Sequence, residues 1–318
     1  MNLDGRAILI TGAAGFVGRH LASALDSGGA RVHGTGIDGP GPGAPFVSWQ
    51  VADIRDLEVL RAVVAAVVPD AVVHLAGQSS AGRSFEQPIE TFQINALGTW
   101  NLLEAVRHEA PRARVLAIGS ADVYGSLPAG TRAAEDSPLR PVSPYGLSKA
   151  AADAFAELAF KQHGLDVIRT RSFAHTGPGQ EARFAIPSWA EQIARIEKGL
   201  PESVLRVGNL EVTRDLLDVR DVVKAYLALL EQGRSSAAYN VCRGTGVRLS
   251  DVIRMLVERA HIPITIEVDT SRVRPADLEH LVGDPSAIER DTGWRAEIPL
   301  ERTLDHVLGE RRGAVDGS

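Results

Sequence analysis

Through the first half of the chain, short apolar β-branched runs alternate with longer stretches whose apolar positions recur every three or four residues. The runs "AILIT" (7–11), "RVHGT" (31–35), "AVVHLA" (71–76), "RVLAIG" (114–119) and "DVIRTR" (166–171) read as buried strands. The helical spacing predicts helices over 16–27, 57–68, 90–109 and 145–163. Strand, helix and strand in that order form a βαβ unit, and its repetition implies a parallel sheet covered on both faces. Right-handed crossovers then leave an α/β fold of the Rossmann, doubly wound kind, with ligands expected outside the carboxyl ends of the strands. Past about residue 173 the alternation loosens into "HTGPGQEARF", a helix over 186–198 and short strands near 204–207 and 215–219. The expectation is a sheet domain over 1–173, completed by segments around 210–245, with 174–318 mainly a smaller C-terminal α/β lobe.

Charge and cysteine content narrow the partners. A net charge of -6 argues against nucleic acid, so any anionic ligand must be held by local clamps. The one cysteine, Cys242, excludes an internal disulfide and a multi-cysteine metal site, and fits a reducing compartment. The most apolar run, 62–77, is broken by Pro69 and Asp70, so it is a helix and a strand instead of a membrane span. The N-terminus enters a strand at once without a signal-peptide layout, so a cytoplasmic location is expected, with no metal.

Two segments carry chemistry. "TGAAGFVG" places Gly12, Gly15 and Gly18 between the first strand and the first helix, with Ala14, Phe16 and Val17 completing the turn. Such glycines permit a tight turn, backbone approach to a pyrophosphate and close helix–strand packing, which points to a dinucleotide, NAD or NADP. Asp38 follows the second strand and no Arg accompanies it, which leaves the choice between the two open. Asp53 with Ile54 could reach the adenine, or Asp53 could cap the next helix. In "SPYGLSKAAADAF", Tyr145 and Lys149 are four residues apart and share one helix face. A phenol ionises near pH 10, and an ammonium one turn away should favour the phenolate, so the pair can move a proton while a nicotinamide moves a hydride.

Together, "TGAAGFVG", "HLAG", "INALGT", "GSADVYG" and "SPYGLSK" resemble the extended short-chain dehydrogenase/reductase family, in its nucleotide-sugar branch. The resemblance implies that Ser120 and Tyr145 bond a substrate oxygen, that Tyr145 exchanges the proton, and that Lys149 holds the nicotinamide ribose. It also brings Leu75, Ala76 and Gly77 to the dinucleotide and makes Asn95 a support for the active-site helix. Downstream, "QSSAGRSFEQP", "RSFAHTGPGQ", "VGNLEVTRDLLDVRD" and "RPADLEHLVGD" look like the subgroup acting on guanosine-diphosphate sugars, which comprises 4,6-dehydratases and 4-keto-6-deoxy reductases. Substrate contacts are then expected from Ser79, Ser80, Arg83, Ala174, His175 and Arg183. The 174–318 lobe would add Val207, Asn209, Leu210 and Glu211 around the base, and Arg214 and Arg274 on ribose and diphosphate.

A dehydratase additionally needs a base for C5 and an acid for the departing hydroxyl. Family members supply these at the tip after the strand that ends at Ser120, often with a Glu. Here Ala121 carries no transferable proton, and Asp122 is one methylene shorter than that Glu. The favoured expectation is therefore NAD(P)H-dependent reduction of a GDP-linked 4-keto-6-deoxy-hexose, giving a product of the GDP-rhamnose type. The alternatives are a dehydratase or epimerase that retains its dinucleotide, with Asp122 acting through water, and a non-catalytic dinucleotide sensor. The resemblance also implies a homodimer paired through the helices over 90–109 and 145–163.

Overall fold

The computed structural model describes residues 1–199, 204–273 and 277–316. Strands β1 (Ala7–Thr11), β2 (Arg31–Gly36), β3 (Ser48–Val51), β4 (Ala71–His74), β5 (Arg114–Ser120) and β6 (Val167–Ser172) succeed one another along the first half. Strands β7 (Ala174–Thr176), β8 (Val204–Val207), β9 (Thr213–Asp218) and β10 (Ala238–Val241) follow. A seven-stranded parallel sheet has the order β10-β6-β5-β4-β1-β2-β3, which reverses direction between β1 and β4. The carboxyl ends of β1 and β4 therefore splay apart at a topological switch point, where α/β sheets bind ligands. Strand β3, "SWQV", is not singled out by any apolar run, because it is an edge strand with only half-buried and exposed side chains.

Alternate residues of each strand serve the two faces. Ile8 and Ile10 join Leu21 and Leu25 of α1 (Phe16–Ser27) on one side, together with Tyr226 and Leu229. Leu9 and Val72 join Leu60 of α2 (Leu57–Val67) and Leu102 and Val106 on the other. Each such fully buried aliphatic side chain contributes about 1.5–3 kcal/mol. Asp56, not Asp53, caps α2, its carboxylate accepting the Val59 N–H.

The helix expected over 90–109 is built from three pieces. After a short helix, α3 (Ala81–Glu86), come α4 (Pro88–Phe92), a widened π-turn over Gln93–Leu97, and α5 (Gly98–Glu109). Asn95 lies in that widened turn with its side chain buried. The active-site helix, α6 (Pro144–His163), opens with Ser143 accepting the Gly146 N–H and Pro144 in its first turn, and stops at Gly164 with φ +67°. Its Asp153 is bonded to both Arg169 and Arg171 of β6, tying helix to sheet through a buried ionic cluster.

Beyond β7, α7 (Ala185–Glu197), α8 (Val219–Gln232) and α9 (Leu249–Glu258) alternate with short strands. Trp189, Ile193, Leu205, Ile253 and Leu256 form a separate apolar cluster there. Helix α8 and strand β10 return to the main sheet, so Tyr226, Tyr239 and Val241 belong to the first core.

Candidate active site

The turn after β1 leaves no room for side chains. Gly12 has φ +67°, and a Cβ there would lie 2.7 Å from the Ala76 nitrogen and 2.8 Å from the Ala76 Cα. A Cβ on Gly18 would strike the Gly12 and Ala13 carbonyl oxygens at 2.6 Å. Gly15 stands at the N-cap of α1 with no side-chain cap, and no acidic residue occupies the first turn. The helix thus presents uncapped N–H groups and a positive dipole end beside backbone packed as closely as glycine allows, which fits a pyrophosphate. Ala14, Phe16 and Val17 lie on this rim, and Ala14 and Val17 are half-buried.

Across the turn, Leu75, Ala76 and Gly77 leave β4 toward Lys149. A Cβ on Gly77 would lie 2.9 Å from Asn95 Oδ1 and 3.4 Å from Lys149 Nζ. Lys149 Nζ donates to the Ile118 carbonyl at 3.1 Å, and burial lowers its pKa to about 8. Asn95 is held on both sides: Oδ1 accepts the Gln78 N–H at 2.8 Å, and Nδ2 donates to Gln78 O at 3.0 Å and to Ser148 Oγ at 2.9 Å. Neither Gln78 nor Ser148 stands out in the sequence; the signal for Gln78 is a polar residue directly after "HLAG".

Ser120 ends β5 with its Oγ accepting the Asp122 N–H at 3.2 Å, and its hydroxyl is near enough to the Tyr145 phenol to favour its ionised form. Tyr145 does not follow the expected direction of ionisation. Burial first, then the charge of Asp122, push its pKa well above that of a free phenol, and the nearby Ser120 hydroxyl only partly offsets them. In this geometry Tyr145 is a protonated phenol, poised as an acid. Ala121 is 1% exposed and packs with Val123, Tyr124 and Phe173, so its side chain belongs to the core behind the tip.

The other expected contacts divide by where their side chains go. Ile54 is buried against Gly98, and Val207 is buried in the cluster of the second half, so both side chains serve packing. Asp53 is chelated by Arg55, whose backbone N–H and guanidinium both donate to it, while Asp38 is exposed two residues past β2. His175 stacks on Phe16 with ring centroids 6.3 Å apart, joining β7 to the glycine turn. Its Nδ1 donates to the Phe173 carbonyl at 2.9 Å, so Nε2 of the neutral ring is an acceptor. Ala174 and Ser79 are exposed, and Ser80 caps α3. Arg83 is engaged by Gln87 and Glu90, and Arg183 by Glu181 and the Phe184 ring. Arg214 donates to Asp277 at 2.8 Å, and Asn209 to the same carboxylate at 3.3 Å, so Asp277, unnoticed in the sequence, gathers two expected contacts. Leu210 packs on the second-half cluster and Glu211 is exposed; Arg274 lies outside the described residues. Among the described residues no His, Cys, Asp and Glu group could hold a metal, and no helix is long and apolar enough to cross a membrane.

The sequence profile described as GDP-mannose 4,6 dehydratase matches residues 9–307. The chain belongs to that family. Its match to the GDP-6-deoxy-D-mannose reductase of Pseudomonas aeruginosa is 36% identical, covering 97% of this chain and 98% of the relative. A solved structure of RMD from Pseudomonas aeruginosa complexed with NADPH superposes with a TM-score of 0.84 at 34% identity, covering 97% of this chain and 99% of the other. The UDP-glucose 4-epimerase of Thermus thermophilus in complex with NAD gives a TM-score of 0.87 at 30% identity, over 96% and 99% of the two chains. For a member of the GDP-mannose 4,6 dehydratase family, the Rossmann sheet described above is thus shared across reductase and epimerase relatives.

Proposed function

We propose that this chain reduces a 4-keto-6-deoxy-hexose carried on GDP to the GDP-6-deoxy-hexose, using NADPH or NADH. The observation that carries this reading is the gathering of Ser120, Tyr145 and Lys149 beside the glycine cradle, where burial and Asp122 keep the Tyr145 phenol protonated. Reduction of a ketone needs a proton donor at the carbonyl oxygen, and this is the state the site favours. The Gly12–Gly18 cradle would hold the dinucleotide, which when bound would supply the hydride. Tyr145 gives its proton to the C4 oxygen, and the Ser120 hydroxyl polarises that carbonyl. Lys149 holds the nicotinamide ribose from beside Gly77 and Asn95, with Leu75 and Ala76 at the same wall. Resemblance to a GDP-6-deoxy-D-mannose reductase supports the guanosine nucleotide.

The segments after residue 174 that do not return to the main sheet serve as the substrate lobe, where Asn209 and Arg214, gathered on Asp277, face the nucleotide. Arg214 takes over phosphate oxygens from Asp277, since a guanidinium binds either anion bidentately. A homodimer forms through the helical stretch over 88–109 and α6, where Leu97 of the π-turn and Leu147 of α6 are exposed at 44% and 55%.

Mass balance tests the reaction. The reductase reading requires one reduced dinucleotide consumed per product. A dehydratase or epimerase that regenerates its dinucleotide consumes none, and that result would replace this reading. Tyr145→Phe should bind dinucleotide nearly as well as the parent and lose turnover; near-normal turnover would sink the mechanism. Inactivity on a panel of keto-sugar nucleotides, despite tight dinucleotide binding, would favour a sensor. Sedimentation as a monomer at micromolar concentration would remove the dimer.

A further inference from the structure

Among the buried titratable side chains that the proposed reaction leaves unused, His74 lies at the seam between the glycine cradle and the Lys149 side of the site. It ends β4 and is 3% exposed. Its Nδ1 is 2.7 Å from Thr11 Oγ1, and its Nε2 is 3.0 Å from Thr99 Oγ1. The neighbouring groups decide which atom donates. Thr99 gives its one hydroxyl hydrogen to the Asn95 carbonyl at 2.6 Å, because a carbonyl only accepts. Nε2 must then carry the hydrogen shared with Thr99. Burial and the nearby Lys149 charge keep the ring neutral, so it has a single N–H. Nδ1 is therefore an acceptor, and Thr11 donates to it. Thr11 Oγ1 accepts in turn from the Ala76 N–H at 3.2 Å.

This series has a fixed direction from end to end. It begins at Ala76, the residue against which Gly12 is packed, and ends at the carbonyl of Asn95 in the π-turn. Asn95 itself grips Ser148, the neighbour of Lys149. We propose that His74, in its Nε2–H tautomer, is a positioning residue that holds the cradle and the Asn95–Ser148–Lys149 wall at a fixed separation. A dinucleotide seated in the cradle then meets Lys149 and Tyr145 in register. The second half of this inference rests on the dinucleotide reading above; the tautomer and its bonding do not.

Two experiments separate these parts. NMR of the full chain labelled with ¹³C and ¹⁵N histidine should find His74 as the Nε2–H tautomer, with no titration between about pH 5.5 and about pH 8.5. An Nδ1–H tautomer, or an imidazolium in that range, overturns the proposal whether or not any dinucleotide binds. His74→Gln keeps a donor near Nε2, and His74→Asn keeps an acceptor near Nδ1. The first should weaken NADPH or NADH binding about tenfold with kcat nearly kept, and the second should lower kcat about tenfold with binding nearly kept, each having lost one buried hydrogen bond. Equal losses in both terms for both variants would mark a merely structural role and overturn the positioning claim. A parent protein that shows the expected tautomer but binds neither dinucleotide would overturn the alignment claim together with the functional reading.

Discussion

Gly12→Ala puts a number on how closely the cradle is built. The residue has φ +67°, which costs an L side chain about 1–2 kcal/mol. The new Cβ would also lie 2.7 Å from the Ala76 nitrogen, 2.8 Å from its Cα and 3.0 Å from the Leu75 carbonyl carbon. All three are backbone atoms, so no side-chain rotation relieves the overlap. Forcing an extra carbon into packed surroundings costs about 1–3 kcal/mol more. The sum is about 2–5 kcal/mol. Part of it is lost stability, and part is displacement of the 75–77 loop away from the dinucleotide.

Gly5→Ala supplies the control. Gly5 has φ +69°, yet a Cβ there meets nothing within 4 Å. It carries the same conformational cost, about 1–2 kcal/mol, without the collision. Urea denaturation should rank the parent above Gly5→Ala and Gly5→Ala above Gly12→Ala. Fluorescence titration with NADPH and NADH should show lost affinity for Gly12→Ala alone. Matching stabilities and matching affinities for the two variants would refute the close-approach argument.

Other perturbations probe the remaining parts of the site. Asp122→Asn removes a charge that raises the Tyr145 pKa, so the Tyr145 ring resonance should begin to ionise at lower pH than in the parent; an unmoved or upward-shifted onset would refute the coupling. Lys149, with its pKa lowered to about 8, gains neutral amine as pH rises through that value, whereas the Glu297 hydrogen bond raises the pKa of Lys224. Brief acylation read by peptide mass spectrometry should therefore favour Lys149 increasingly from about pH 7 to about pH 9, and saturating dinucleotide should protect it; parallel labelling of the two lysines would count against the assignment. Asp153→Asn uncouples a carboxylate that is 5% exposed from Arg169 and Arg171. Leaving Arg171 buried without its counter-charge, and Arg169 with only Glu157, should cost about 3–5 kcal/mol in chemical denaturation, and a loss below about 1 kcal/mol would show that the cluster is not coupled.

The parts of this molecule that were legible in its sequence are those dictated by periodicity and local sterics. The buried strands of the sheet and α1 follow from apolar spacing, and the cradle follows from glycines whose missing Cβ atoms are needed by neighbouring backbone. What periodicity could not give depends on partners distant along the chain. The π-turn has no signature of its own; it coincides with Asn95 being gripped by Gln78 and Ser148 from two other elements. Asp53 looked free to reach an adenine or to cap a helix, but Arg55 two residues on takes its carboxylate, and Asp56 does the capping. Asp277 collects Asn209 and Arg214 across more than sixty positions, which no local pattern records.

The tip after β5 gains a different meaning from its surroundings. Read as letters, Ala121 argued against dehydration because it has no proton to give, but its side chain is enclosed in the core, and the weight passes to Asp122. The backbone there is fixed against the active-site helix: a Cβ on Gly146 would lie 2.8 Å from the Asp122 carbonyl oxygen, and Gly146 is the residue after Tyr145. The backbone of residue 122 is thus held beside the turn that carries Tyr145. Its charge raises the phenol's proton affinity, which suits an acid that protonates a reduced carbonyl and opposes a base that must first take a proton from a hydroxyl. Length and charge are distinct contributions of the one side chain: its shortness disfavours the elimination step, its charge holds the proton on Tyr145, and Asp122→Asn separates them, because it keeps the length and removes only the charge.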